Sequence, residues 1–172
     1  MTPARFRFEQ LAKQDRSQFR CGEKALDGYF QTQVTQDVRR RITNCFIAIE
    51  NETGIIAGYY TLSAASIPLT ELRQEEAKRL PRYPTLPAVR IGRLAVDRSF
   101  QGCGLGAAML MNAVDRTMQD AAAGYALLVD AKHEQAVEFY KHHGFESLAS
   151  RPDTLFLPLA TAQKALMKRG SR

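Results

Sequence analysis

Val89-Arg90-Ile91-Gly92-Arg93-Leu94-Ala95-Val96, then Asp97-Arg98-Ser99-Phe100, then Gln101-Gly102-Cys103-Gly104-Leu105-Gly106-Ala107-Ala108-Met109 is the stretch on which the fold turns. β-formers alternate before the glycines and good helix formers follow them, which predicts a strand, a glycine-rich turn and the start of a helix. That layout suits an anion. Glycines let the main chain approach a phosphate closely, and the first free amides of a helix, at the positive end of its dipole, point at the charge. A mononucleotide loop ends in Gly-Lys-Ser/Thr and a dinucleotide loop reads Gly-x-Gly-x-x-Gly. Here Gly106 is followed by Ala107-Ala108 and the spacing is Gly-x-Gly-x-Gly, so neither fits. Taken alone, the loop is equally well explained as a tight strand-to-helix turn with no ligand.

Working outward, residues 105–122 read as a helix, apolar at Leu110, Ala113, Val114, Thr117 and Ala121 and ended by Gly124. Tyr125-Ala126-Leu127-Leu128-Val129 is a near-continuous apolar run, the pattern of a strand covered on both faces. Strand, crossover helix and strand in this order predict a parallel βαβ unit, with phosphate at the carboxyl ends of its strands. Upstream, Phe6 and Phe8 alternate with arginines as in a first strand. From Gly22 a helical pattern begins, with Leu26, Tyr29, Phe30, Val34 and Val38 on one side. Residues 43–49 and 55–62 form a predicted antiparallel hairpin across Asn51-Glu52-Thr53-Gly54. A short helix is expected over 69–78, after which Pro81, Pro84 and Pro87 hold the approach to the central strand extended.

The 172 residues, 45% hydrophobic and 24% charged, suit one soluble globular domain with a sizeable core. No apolar run approaches the ~20 residues that cross a bilayer. The N-terminus lacks the continuous hydrophobic region of a signal peptide, so the cytoplasm is the expected location and no membrane is involved. Cys21, Cys45 and Cys103 are scattered and odd in number, which argues against a disulfide framework, and no paired Cys/His spacing marks a metal site. Lys and Arg number 24 against 18 Asp and Glu, a net charge of +6 at which a phosphate-rich partner is worth weighing. Arg39-Arg40-Arg41 form a run, and Arg90 and Arg93 lie in the central stretch; these five are the candidate contacts to nucleic acid. For the run, a solvated helix end matched to the dipole is the structural alternative.

Ala136-Val137-Glu138-Phe139-Tyr140-Lys141-His142-His143-Gly144-Phe145 supplies a second motif, a short helix with an aromatic face. Gly144 provides the left-handed cap and Phe145 the hydrophobic contact that accompanies it. Alone, Tyr140 is a core aromatic as readily as a functional phenol. Together, Gln101-x-x-Gly104-x-Gly106 after Leu-Ala-Val-Asp and Ala-x-x-Phe-Tyr-x-x-x-Gly-Phe one strand later resemble the GNAT superfamily of N-acetyltransferases, over roughly residues 43–159. The resemblance implies a single α/β domain, 1–172, with an acetyl-CoA core at about 43–159 and a tail at 160–172. It implies a central mixed, mostly antiparallel sheet flanked by helices, splayed between the strands ending at Val96 and Val129 to admit acetyl-CoA. By the same resemblance, Leu94, Ala95 and Val96 meet the acetyl and pantetheine groups through the backbone. Gln101, Gly102, Cys103, Gly104, Leu105, Gly106 and Ala107 form the pyrophosphate loop. Many members carry a cofactor-contacting asparagine where this chain has His133, so that contact is not carried over.

A narrower resemblance spans the chain. Phe19-x-Cys21-Gly22-x-x-x-Leu26-Asp27-x-Tyr29-Phe30, Gly58-Tyr59-Tyr60-Thr61-Leu62, Arg93-Leu94-Ala95-Val96-Asp97, Phe139-Tyr140-x-His142-His143-Gly144-Phe145 and Thr154-Leu155-Phe156-Leu157 are similar to the acetyltransferase toxins of bacterial type II toxin–antitoxin pairs, the TacT and AtaT group. This implies acetylation of the α-amino group of aminoacyl-tRNA and a block of translation. It also implies a ribbon-helix-helix antitoxin and a toxin homodimer.

Acetyl transfer needs a neutral amine, support for the oxyanion and a proton for the thiolate that leaves. Tyr140, a phenol of ordinary pKa about 10, can supply that proton. An α-amino group ionises near about 7.7–8.0, so no strong protein base is required. Asp130 is the acidic residue close to the motifs, with a turn or helix-cap role as its other reading. A covalent route through Cys103 lacks a flanking base. Two other functions stay open at this point, a housekeeping acetyltransferase for a metabolite or protein amine and a coenzyme A binding module without turnover.

Overall fold

Apolar runs and alternating stretches settle into strands and helices among the described residues, which are 4–162 and 164 of a computed structural model. The strands are β1 (Phe6–Gln10), β2 (Asn44–Glu50), β3 (Ile56–Pro68), β4 (Thr85–Val96), β5 (Ala126–Asp130), β6 (Glu146–Ser147) and β7 (Thr154–Pro158). The helices are α1 (Lys24–Gly28), α2 (Val34–Arg39), α3 (Gln74–Ala77), α4 (Leu105–Gln119) and α5 (Glu134–His142). One mixed sheet carries the strands in the order β1-β2-β3-β4-β5-β7-β6. Two compact units share it, Met1–Ser63 with Gly92–Ala113 and Ala64–Ile91 with Val114–Arg172, and β3 and β4 each run from one unit into the other. The tail expected at 160–172 lies outside the described residues at 163 and from 165 onward.

In the first unit, β1 pairs antiparallel with β2, Phe6 opposite Glu50, and β2 with β3, Asn44 opposite Leu62. Every residue of β2 after Asn44 is buried; Cys45 to Ile49 are apolar without a break, and Glu50 at the end is paired with Arg5. The helical stretch expected from Gly22 is interrupted: a π-helical turn, Tyr29–Gln33, separates α1 from α2. Its core gathers Phe19, Phe30, Ile47, Tyr59 and Ala95, and the Phe30 ring stacks on Tyr59 with centroids 4.2 Å apart. At Gly58 a Cβ would lie 2.6 Å from Met109 Sδ and 3.0 Å from the Ala95 carbonyl oxygen. A glycine is required there because α4 presses directly on β3.

In the second unit, β4 runs parallel to β5 from Ala88 opposite Ala126 to Ile91 opposite Val129, as the βαβ reading predicts. Beyond Ile91, β4 continues to Val96. β5 pairs antiparallel with β7, and β7 with β6, so the last strand enters the sheet ahead of the one that precedes it in sequence. Ile67, Leu86, Leu128, Leu148 and Phe156 fill the core of this unit. The helix expected over 69–78 resolves into a 3-10 turn, Leu69–Glu71, followed by α3. α4 stops at Gln119 and not at 122, because residues 119–123 are exposed and offer no buried face to hold another turn.

Candidate active site

The glycine loop is shaped by bonds within the first unit. Asp97, buried at the end of β4, accepts from the amides of Ser99 and Arg20, both at 2.9 Å, while its own N–H donates to the Ala57 carbonyl at 2.8 Å. The Gln101 side-chain amide donates to the Cys21 carbonyl at 2.8 Å and the Val96 carbonyl at 3.0 Å. Gln101 therefore braces the loop through its side chain. Gly102 and Gly104 have φ of 81° and 84°, where a non-glycine residue costs about 1–2 kcal/mol. A Cβ at either would meet nothing within 4 Å, so conformation, and not space, calls for glycine. Ala108 N–H donates to the Gly104 carbonyl at 3.1 Å, so helical bonding starts at Gly104. The amides of Leu105, Gly106 and Ala107 form the open first turn, where an α-helix has no internal acceptors. Buried Leu105 and Met109 anchor that turn, and the Cys103 thiol, exposed, donates back to the Phe100 carbonyl at 2.8 Å.

Along the end of β4, Ala95 is buried in the first unit's core while Leu94 and Val96 are half-buried. Strand alternation turns those two toward the opposite face from Ala95.

Tyr140 belongs to the second unit. α5 begins at His133, whose Nδ1 accepts from the Ala136 amide at 3.1 Å, so this histidine is the helix N-cap. Tyr140 is 7% exposed, with the rings of Phe139 and Phe145 edge-on at 5.2 Å each. Gly144 at φ 93° turns the chain, and the Phe145 amide donates to the Tyr140 carbonyl at 3.0 Å, completing the cap that the sequence predicts. Burial pushes the phenol above its ordinary range, because the phenolate loses more by leaving water than the neutral form does. The hydroxyl thus stays protonated to higher pH than an exposed phenol would.

The five candidate arginines divide. Arg39, Arg40 and Arg41 are exposed at the end of α2, where Arg41 takes φ 60° and the Ile42 amide donates to the Asp37 carbonyl at 2.9 Å. Arg90 instead pairs with Asp130, whose other carboxylate oxygen accepts from the Thr154 hydroxyl at 2.8 Å. Both oxygens of Asp130 thus carry a partner, which gives it a structural role. Arg93 stacks its guanidinium 3.4 Å from the centroid of Tyr29, whose hydroxyl donates to Asp37 at 2.8 Å. Sequence reasoning passed over Arg20, Lys24 and Arg98, which line a cavity of the first unit. The available signal was the Phe19-x-Cys21-Gly22 segment, which contains Arg20 and which Lys24 closely follows.

Residues 42–147 match the family model of the acetyltransferase (GNAT) domain. The chain belongs to the GNAT acetyltransferases. Acetyl-CoA is the acetyl donor of that family. This acetyltransferase is 31% identical over 151 residues to the tRNA-acetylating toxin of Mycobacterium tuberculosis (strain ATCC 25618 / H37Rv), with 87% of this chain and 89% of that one covered. It is similar to the structure of AtaT complexed with acetyl-methionyl-tRNAfMet, at TM-score 0.85 and 31% identity over 94% of this chain and 99% of the other. It is also similar to a Tyr-to-Phe mutant AtaT toxin bound to the C-terminus of the antitoxin AtaR and acetyl-CoA, at TM-score 0.78 and 29% identity over 95% and 99% of the two chains. Among the described residues of this acetyltransferase, no helix is long and apolar enough to cross a membrane.

Proposed function

We infer that this acetyltransferase is the toxin of a type II toxin–antitoxin pair, moving acetyl from acetyl-CoA to the α-amino group of aminoacyl-tRNA and so stopping translation in the cytoplasm. The observation that carries this reading is the likeness, along nearly the whole chain, to proteins named for that reaction and that role. The backbone at Gly102 to Ala107 cradles the pyrophosphate, and the backbone at Leu94, Ala95 and Val96 holds the pantetheine arm and the thioester carbonyl, supporting the oxyanion. The neutral amine attacks the carbonyl carbon; the N–C bond forms and the C–S bond breaks. Tyr140 gives its proton to the departing sulfur, and the proton shed by the new amide nitrogen goes to solvent, from which the phenolate is refilled. With an amine that titrates near about 7.7–8.0, the engagement of Asp130 costs nothing in rate. The matching partners are a ribbon-helix-helix antitoxin and a second copy of the toxin.

Incubation with acetyl-CoA and a full pool of aminoacylated tRNA should yield N-acetyl-aminoacyl-tRNA, seen as resistance of the amino acid to amine-specific labelling. A pool left wholly reactive, alongside acetylation of a free metabolite amine, would replace this reading with that of a housekeeping enzyme.

A further inference from the structure

A cavity of about 420 Å³ opens in the first unit, lined among others by Arg20, Gly22, Lys24, Gly28 and Arg98. Three cations converge there against one acid, Asp27, which is buried and accepts from the Cys21 amide at 2.9 Å. Among the described residues, no ion pair engages Arg20, Lys24 or Arg98. Arg20 is oriented by its own backbone, with Nη1 donating to the carbonyls of Phe19 at 2.7 Å and Ser17 at 3.1 Å. The cavity wall is continuous with the glycine loop, since the Arg98 amide donates to the Arg20 carbonyl at 2.8 Å and Gln101 donates to the Cys21 carbonyl.

Two glycines shape the space. Gly22, at φ 107°, lets Arg98 lie across the backbone, where a Cβ would sit 3.4 Å from its Nε. Gly28 differs: its φ of −60° and ψ of −44° are helical, and a Cβ there would meet nothing within 4 Å. Neither backbone nor packing needs a glycine at 28, and a helix is firmer with alanine. What the missing side chain provides is an open wall.

We propose that this cavity is a phosphate site separate from the glycine loop, in which Arg98 and Arg20 present guanidinium groups to phosphate oxygens and Lys24 adds a third charge. Guanidinium forks match pairs of phosphate oxygens, and lysine serves as a point charge beside them. The phosphate comes either from the ribose of coenzyme A or from an RNA backbone. The site does not depend on which amine is acetylated, and its test reads binding, not turnover.

The measurement is titration of coenzyme A, dephospho-coenzyme A and deacylated tRNA into the full-length protein and its Lys24→Gln, Arg98→Gln and Gly28→Ala variants. If the coenzyme supplies the phosphate, the two charge variants bind coenzyme A about 10-fold more weakly and dephospho-coenzyme A as before. If RNA supplies it, they bind tRNA more weakly, with a salt dependence flatter by about one unit of slope per lost contact. Gly28→Ala should weaken the same ligand while melting no lower than wild type, which separates a narrowed site from a damaged fold. Wild-type affinity of Lys24→Gln and Gly28→Ala for all three ligands overturns the proposal, as does an equal loss for coenzyme A and its dephospho form with tRNA binding intact.

Discussion

Burial keeps the Tyr140 hydroxyl protonated to higher pH than an exposed phenol, which suits the donor role proposed for it. Tyr140→Phe should lower kcat by about 100-fold or more and leave acetyl-CoA affinity and melting temperature close to wild type. The pH profile follows from the direction of the shift. Activity should rise with pH as the acceptor amine loses its proton near about 7.7–8.0, then stay flat through about pH 10, where an unburied phenol would begin to ionise. A profile measured over that range that falls in step with phenol ionisation at its ordinary value would show that burial does not raise the phenol. Gln101 shows the limit of reading residues one at a time. Its spacing marks it as part of the loop, yet its side chain is occupied by the Cys21 carbonyl, a partner far away in sequence that local pattern does not reveal.

Among elements, the strand, loop and helix from β4 into α4 were legible because each depends on short-range chemistry: alternation, positive φ at Gly102 and Gly104, and apolar residues at helical spacing. The entry of β7 between β5 and β6 was not, since strand order is decided by pairing between distant segments. Gly58 couples two legible elements in a way neither shows alone. Gly58→Ala should destabilise the protein by about 1–3 kcal/mol through overpacking against Met109, read as a lower urea midpoint at unchanged m. The loop has its own reporter. Cys103 is exposed, whereas burial pushes Cys45 up to about 12 and, mainly by the same cause, Cys21 up to about 11, so less thiolate is available at either near pH 8. A thiol reagent should therefore label Cys103 first, and saturating acetyl-CoA should slow that labelling and no other. Unchanged labelling with ligand bound would place the coenzyme elsewhere.

For the molecule as a whole, net charge of +6 says that a polyanion is attracted, but not where. Arg90 and Arg93 are committed to Asp130 and Tyr29, while Arg39, Arg40 and Arg41 stand exposed, a distinction that depends on tertiary partners and so escaped the sequence. Replacing the three exposed arginines by glutamine should weaken tRNA binding and flatten its salt dependence by up to about three units of slope, with acetyl-CoA binding unaltered. An unchanged slope would mean that the run serves the end of α2 alone. Those arginines follow the π turn at Tyr29–Gln33, which fits one more residue into its ring than an α-turn holds. Excision of a single residue there would close the turn as regular α-helix and leave the residues after it on their present faces, whereas a residue removed from α1 would swivel everything after it by about 100°. After a deletion in α1, Val34 and Val38 would leave the core, Asp37 would lose the Tyr29 hydroxyl, and the cationic tip would point another way. The π turn is consequently a place in this helical stretch where one residue can be gained or lost without turning the arginines, and the side chains of Thr32 and Gln33 there are both exposed.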